Sequence, residues 1–229
     1  MLAYFPHIPK TGGQTLLHGF YSAFGRDRCL KVWDDGRGSD MRSGEFPSLL
    51  PSQFKKVRAV VGHLPVSKFM ENEHASQAYE RGRVRIFTSV RDPIDRIISL
   101  YNYMKFFPRH PAYETMQQVQ PTDFIMRQAT NYQLNFIKPH VDAGVDEVFD
   151  CMEVAALEVS IEALGKFLRQ HFGRRVEPLG IRNKSEMHAN GQTLLRREHL
   201  PDDVIQDLNQ RHALDLELYH RARAGQGKR

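Results

Sequence analysis

Cysteine is almost missing from this chain: two residues in 229, Cys29 and Cys151. Two distant thiols make neither a disulfide scaffold nor a cysteine zinc site, so a reducing compartment is expected. Apolar runs are short too, well under the roughly 18 residues of a membrane-spanning helix. The N-terminus has no basic stretch leading into an apolar core, so no secretory leader is expected and a cytoplasmic protein is the default. Internal repeats and low-complexity tracts do not occur, which excludes solenoids. Several catalytic signatures are absent as well. There is no His-Glu-x-x-His helix or His and Cys cluster, so no metal is expected. There is no Gly-x-Ser-x-Gly elbow for a hydrolase triad. Basic residues are not interleaved with aromatics, so no nucleic-acid partner is expected.

The composition that is present is ordinary for a globular protein: 41% hydrophobic, 26% charged, with a net charge of +5 and 11 histidines uncounted. A modest positive excess suits anionic ligands. No linker divides the chain, so one domain over residues 1–229 is expected, with a frayed basic tail over 220–229. "LAYFPHI", "VRAVVGH" and "VRIFTSV" read as apolar strands. "TLLHGFYSAF" reads as a helix with Leu16, Leu17, Phe20 and Phe24 on one side. "RDPIDRIISLYNYM" opens a helix with Asp92 as cap and Pro93 at the first helical position. "TDFIMRQ" and "NYQLNFI" suggest short helices. "SIEALGKFLRQHF" suggests an amphipathic helix ending before Gly173, and "LPDDVIQDLNQRHALDLELYHRA" one or two closing helices. Residues 34–45 are polar and glycine-rich and read as a loop. Strands alternating with helices predict an α/β fold, a parallel sheet flanked by helices. Residues 100–145 and the C-terminal helices are expected as an attached helical portion.

"HIPKTGGQTL" joins the first strand to the first helix. In a parallel sheet this turn faces the ligand edge. The amides of Thr11, Gly12, Gly13, Gln14 and Thr15, the helix dipole and Lys10 would together suit an anion. The turn is not the nucleoside-triphosphate loop, because Lys10 precedes the glycines. The alternative is a tight turn with an incidental lysine. A second candidate is Arg91, at the end of the third apolar strand, with Ser99 two helical turns on; a forked guanidinium suits phosphate. Its alternative is an Arg91 paired with Asp92 or Asp95 and a Ser99 that only packs. His63 follows the second apolar strand, and histidine as a residue type titrates near neutral pH and can take a hydroxyl proton. His7, His18 and His74 are weaker candidates, His7 as a shaper of the pocket floor.

Two anion sites at neighbouring strand ends suit one ligand with two separated phosphate-like groups. "IPKTGGQT" with "RDPIDRIISLY" resembles the phosphate motifs of sulfotransferases that use 3′-phosphoadenosine 5′-phosphosulfate (PAPS), nearest the heparan and uronyl 2-O-sulfotransferase branch. The resemblance implies a P-loop-like nucleotide-binding sulfotransferase fold. It implies that Lys10, Thr11, Gly12, Gly13, Gln14 and Thr15 hold the 5′-phosphosulfate and that Arg91 and Ser99 hold the 3′-phosphate. "GHLPVSKF" is similar to the segment that carries the family's catalytic base, which falls on His63. "NYQLNFI" resembles its Asn-x-Gln segment near the active site. "IRNKSEMH" resembles a loop that folds over the nucleotide, here Arg182, Asn183, Lys184 and Ser185, after an expected strand "VEPLGI". The implied reaction moves a sulfuryl group from PAPS to a hydroxyl on a carbohydrate or glycoconjugate, leaves adenosine 3′,5′-bisphosphate (PAP), and needs no metal.

Gln14 stands where the family usually has a small hydroxyl residue. Met1 lies almost on the first strand, where Golgi members carry an anchor and stem, so either a bacterial-type soluble form or a chain trimmed at its N-terminus is expected. Two other classes stay open on sequence alone. One is a small-molecule P-loop kinase using ATP and magnesium at Lys10 and Thr11. The other is a non-enzymatic module that binds polyanions.

Overall fold

A computed structural model describes residues 1–33, 39–176, 179–180 and 193–225. In chain order its elements are β1 (Leu2–Pro6), α1 (Gly13–Phe24), β2 (Cys29–Val32), α2 (Pro51–Phe54), β3 (Ala59–Gly62), α3 (Val66–Met70), α4 (Glu73–Glu80), β4 (Val84–Val90), α5 (Pro93–Phe106), α6 (Tyr113–Met116), α7 (Pro121–Met126), α8 (Tyr132–Ile137), α9 (Val145–Cys151), β5 (Glu153–Ala156), α10 (Ser160–Phe172), α11 (Asp202–Arg211) and α12 (Ala213–Arg223). The strands form one sheet in the order β2-β3-β1-β4-β5, and every neighbouring pair is parallel. The protein is therefore α/β, a parallel sheet flanked by helices.

A sheet covered on both faces needs apolar side chains on both, which is why its strands read as continuous apolar runs. Tyr4, Val60, Ile86 and Val154 turn to a core closed by α3, α8, α9 and α12. Phe5, Val61, Phe87 and Ala155 turn the other way, against α1 and α10. A third cluster joins Ile94, Ile97 and Ile98 of α5 to Ile125 of α7 and Leu208 of α11. The expected helical attachment is thus smaller than the sequence suggests: α8 and α12 belong to a layer on the sheet, and among the described residues α5, α7 and α11 form a separate cluster together with Leu200. The closing helix also runs through Arg223 with Ala222 2% exposed, so residues 220–223 are not a frayed tail.

Helix ends follow their chemistry. Asp92 accepts from the N–H groups of Ile94 (2.9 Å) and Asp95 (3.1 Å), and Pro93 takes the first helical position. Gly173 closes α10 in the left-handed conformation, φ 62°. β1 stops at Pro6, two residues earlier than expected, because Ile8 is already bonded inside the following turn. β2 and β5 are strands that the sequence reading missed. Each has four residues, too few to show a period, and each carries a charged residue, Lys31 or Glu153, in place of a continuous apolar run. Of the expected loop at 34–45, residues 34–38 lie outside the described residues, and Ser43–Ser48 forms a 3-10 turn. Of the strand expected at 176–181, residues 177, 178 and 181 also lie outside them, and residues 176, 179 and 180 belong to no strand.

Candidate active site

The sheet order sets the place. From β1 the chain leaves through α1 to β2 on one side; from β4 it leaves through α5 toward β5 on the other. Adjacent strands that send their chains in opposite directions open a crevice at their C-terminal ends. The Lys10 turn follows β1 and Arg91 follows β4, so the two flank that crevice.

The turn is shaped by its own bonds. Lys10 is held at φ 73° and Gly12 at φ 81°, a left-handed conformation that is costly for a lysine. Thr11 is fully buried, and its hydroxyl donates to the Ile8 carbonyl (2.8 Å). Ser89 on β4 donates to the Thr11 carbonyl (2.7 Å), and Thr88 to that of Pro6 (2.8 Å). The Thr11 hydroxyl therefore braces the turn and leaves the backbone to meet a ligand. The N–H groups of Lys10 through Gln14 find no acceptor among the described residues. They gather at the N-terminus of α1, where the helix dipole favours an anion. Thr15 is buried one turn in, and its N–H donates to Gly12 (3.0 Å). Gln14 is half-buried beside it.

Two cations face this crevice. Nζ of Lys10 lies 3.9 Å from the centre of the Tyr103 ring, a cation–π contact with α5. Burial pushes its amine down to about 8, and the nearby Arg91 charge pushes the same way. Neither Lys10 nor Arg91 has a carboxylate at ion-pair distance among the described residues. Asp92 and Asp95, the acids nearest Arg91 in sequence, instead face Arg197 at 3.1 and 3.9 Å. Arg91 is fixed through its backbone: the Gln133 amide accepts from its N–H (2.9 Å) and donates to its carbonyl (2.7 Å). Ser99 is half-buried on α5, one turn before Tyr103 and so on the same face.

On the other side of β1, a bend at Gly62 (φ 138°) starts the histidine segment. A Cβ there would lie 1.9 Å from the Val32 carbonyl oxygen, so only glycine lets β3 run this close to β2. His63 donates its N–H to the Val32 carbonyl (2.8 Å), and its ring lies against Trp33, centroids 3.8 Å apart and planes tilted by 32°. His7 completes the group, 4.8 Å from His63 and 5.1 Å from Trp33. Nδ1 of His7 is buried with no hydrogen-bond partner among the described residues. Burial first, and then the charges of His63, Lys10 and Lys31, hold this imidazole well below its usual range, so it is neutral.

The structure thus gathers Lys10 to Thr15, His63 and Arg91 at the ends of adjoining strands, with Ser99 on the helix that follows. His18 lies edge-on to Tyr21, and His74 borders a cleft at the opposite end of the sheet. Arg182, Asn183, Lys184 and Ser185 lie outside the described residues. Sequence reasoning missed Trp33 and Tyr103. A sole tryptophan just after a short apolar run was the available signal for the first; nothing local marked the second. Of the segment "NYQLNFI", Gln133 meets Arg91 as described above, while Asn131 caps α12: its Oδ1 accepts from Leu214 and Asp215, and Asp215 accepts from Gln133 and Leu134 of α8. Among the described residues no group of three or more His, Cys, Asp or Glu is arranged to hold a metal ion. None of the helices there is long and apolar enough to cross a membrane. Set against known proteins, the chain matches no family model and no curated protein.

Proposed function

We propose that this protein is a PAPS-dependent sulfotransferase that transfers a sulfuryl group to a hydroxyl of a carbohydrate or glycoconjugate acceptor, in a P-loop-like nucleotide-binding fold, as a cytoplasmic enzyme. One observation carries the reading. Lys10 and Arg91 are two cations without carboxylate partners among the described residues, on adjacent strand ends, near enough for one to depress the other's pKa. Like charges held together this way suit a ligand that supplies two anionic groups.

In this reading the 5′-phosphosulfate lies on the Lys10–Thr15 turn and the 3′-phosphate on Arg91 and Ser99. The acceptor oxygen attacks sulfur in line, and the bond from sulfur to its bridging oxygen breaks. The electron pair leaves on the 5′-phosphate of PAP, and the hydroxyl proton passes to His63. Lys10 neutralises charge that grows on the bridging oxygen, while the turn's amides hold the non-bridging oxygens. As in phosphoryl transfer, positioning and charge stabilisation supply most of the rate.

A thermal-shift series is the first test. Stabilisation by PAP, and none by ADP with magnesium, is the expected result; the reverse pattern would make the protein a kinase. Sulfuryl transfer from PAPS to a saccharide panel should then fall by about 10²-fold or more in His63→Ala, the scale of a lost general base, with PAP binding nearly intact. Normal transfer by that variant would remove His63 from the role.

A further inference from the structure

The opposite end of the sheet carries an unrelated feature. An arginine stands immediately before each of three strands: Arg28 before β2, Arg58 before β3 and Arg83 before β4. Strand order turns this sequence pattern into a row. The Arg58 N–H donates to the Arg28 carbonyl (2.8 Å), Ala3 donates to Arg58 (2.9 Å), and Leu2 donates to Arg83 (2.8 Å). With strands about 4.8 Å apart, Arg28 and Arg58 are about 5 Å apart across the edge, and Arg58 and Arg83 about 10 Å. All three are exposed, and none has a carboxylate at ion-pair distance among the described residues. Lys55, Lys56 and Arg81 are exposed on the same edge, against Asp27, Glu73 and Glu80. Apolar surface adjoins the row. A cleft between Arg58 and Arg83 is lined by Phe54, Val57 and Ala78, and beside it Leu50 is 62% exposed.

We propose that this N-terminal edge of the sheet is a docking surface for an anionic lipid bilayer. A row of cations meets the negative surface potential of acidic headgroups, and Leu50 with the apolar cleft reaches the headgroup boundary. A nucleic acid or a sulfated glycan would satisfy the arginines but offers nothing to Leu50, and among the described residues no exposed aromatic platform stands beside the row for bases to stack on. The strands run parallel, so the Lys10 and Arg91 end faces away from the docked surface.

Sedimentation with lipid vesicles tests this on the whole chain. The protein should pellet with vesicles containing phosphatidylserine, stay in solution with phosphatidylcholine alone, and be released in about 0.5 M salt, where charges are screened beyond a few ångströms. Each basic residue near such a surface is worth about fivefold in partitioning. The combined changes Arg28→Glu, Arg58→Glu and Arg83→Glu should therefore weaken binding by about 10²-fold or more, with unchanged circular dichroism. Leu50→Ser should weaken it further. If the triple variant unfolds, single Arg→Gln changes at these exposed positions carry the same comparison. No pelleting with phosphatidylserine vesicles overturns the proposal, as does equal pelleting with both lipids or unaltered binding by the variants. So does capture by heparin or DNA without vesicle binding, which would assign the row to a soluble polyanion.

Discussion

A Cβ on Gly13 would fall 1.8 Å from Nε2 of His7, inside any contact a real side chain makes. This glycine is needed for the space that the buried imidazole fills, so Gly13→Ala should cost about 1–3 kcal/mol, as overpacking does. The pair His7→Ala with Gly13→Ala should regain much of that loss in a double-mutant cycle read by denaturant unfolding. Additive losses would mean the two do not meet. Lys10 carries a different conflict. Its amine in the fold, at about 8, lies below its ordinary 10.5, so the unfolded chain holds this proton more tightly than the folded one. The charged lysine therefore costs stability in full below about pH 8, and the cost fades between about 8 and 10.5 as the folded amine loses its proton. Lys10→Met keeps the contact with Tyr103 and removes the charge. It should raise the melting temperature near pH 7 by roughly 2–4 °C, the scale of about 1 kcal/mol, and lose the response to PAP. The gain should shrink in melts run above pH 9. A Met variant no more stable than the parent near neutrality would refute the desolvated-cation account.

Gln133 works at the scale of elements, because it ties α8 to the end of β4 through both backbone groups of Arg91. Gln133→Leu fills a similar volume and leaves a part-buried donor and acceptor of Arg91 without this partner, each costing at most about 1–3 kcal/mol. Arg91 would then lose its fixed direction, so binding of PAP should weaken by about 10-fold or more. Adenosine 5′-phosphosulfate, which has no 3′-phosphate, should bind as before. Equal losses for both ligands would mean that Gln133 supports the fold and not the aim of Arg91. Elements of this kind mark the limit of what local sequence carries. β4 and the cap of α5 were legible because a seven-residue apolar run and an Asp-Pro start are local signals. β2 and β5 were not: four residues are too few to show a period, and Lys31 and Glu153 break the continuous apolar run by which the equally short β3 was read. Nor were the Gln133 clamp, which joins residues 42 apart, and the reciprocal capping of α8 and α12 by Asp215 and Asn131.

Across the whole molecule the parallel sheet presents positive charge at both ends, in two different environments. Lys10, His63 and Arg91 were legible as candidates because strand, turn and helix follow in sequence around each. Trp33 and Tyr103 entered the site only through the sheet order and the packing of α5. The row formed by Arg28, Arg58 and Arg83 was scattered in sequence for the same reason and became a row only when β1 inserted between β3 and β4. These environments should respond to salt differently. Lys10 lies in a desolvated turn, where ions penetrate little and screening is weak. The outer arginines stand in solvent, where the Debye length falls from about 10 Å at 0.1 M to a few ångströms near 1 M. Raising salt from about 0.1 to 0.5 M should therefore weaken PAP binding by less than about 10-fold, measured by calorimetry. Over the same range, binding to phosphatidylserine vesicles should be lost. If PAP binding falls as steeply as vesicle binding, its cations are solvated like the outer arginines, and the turn after β1 is not the water-poor anion site described above.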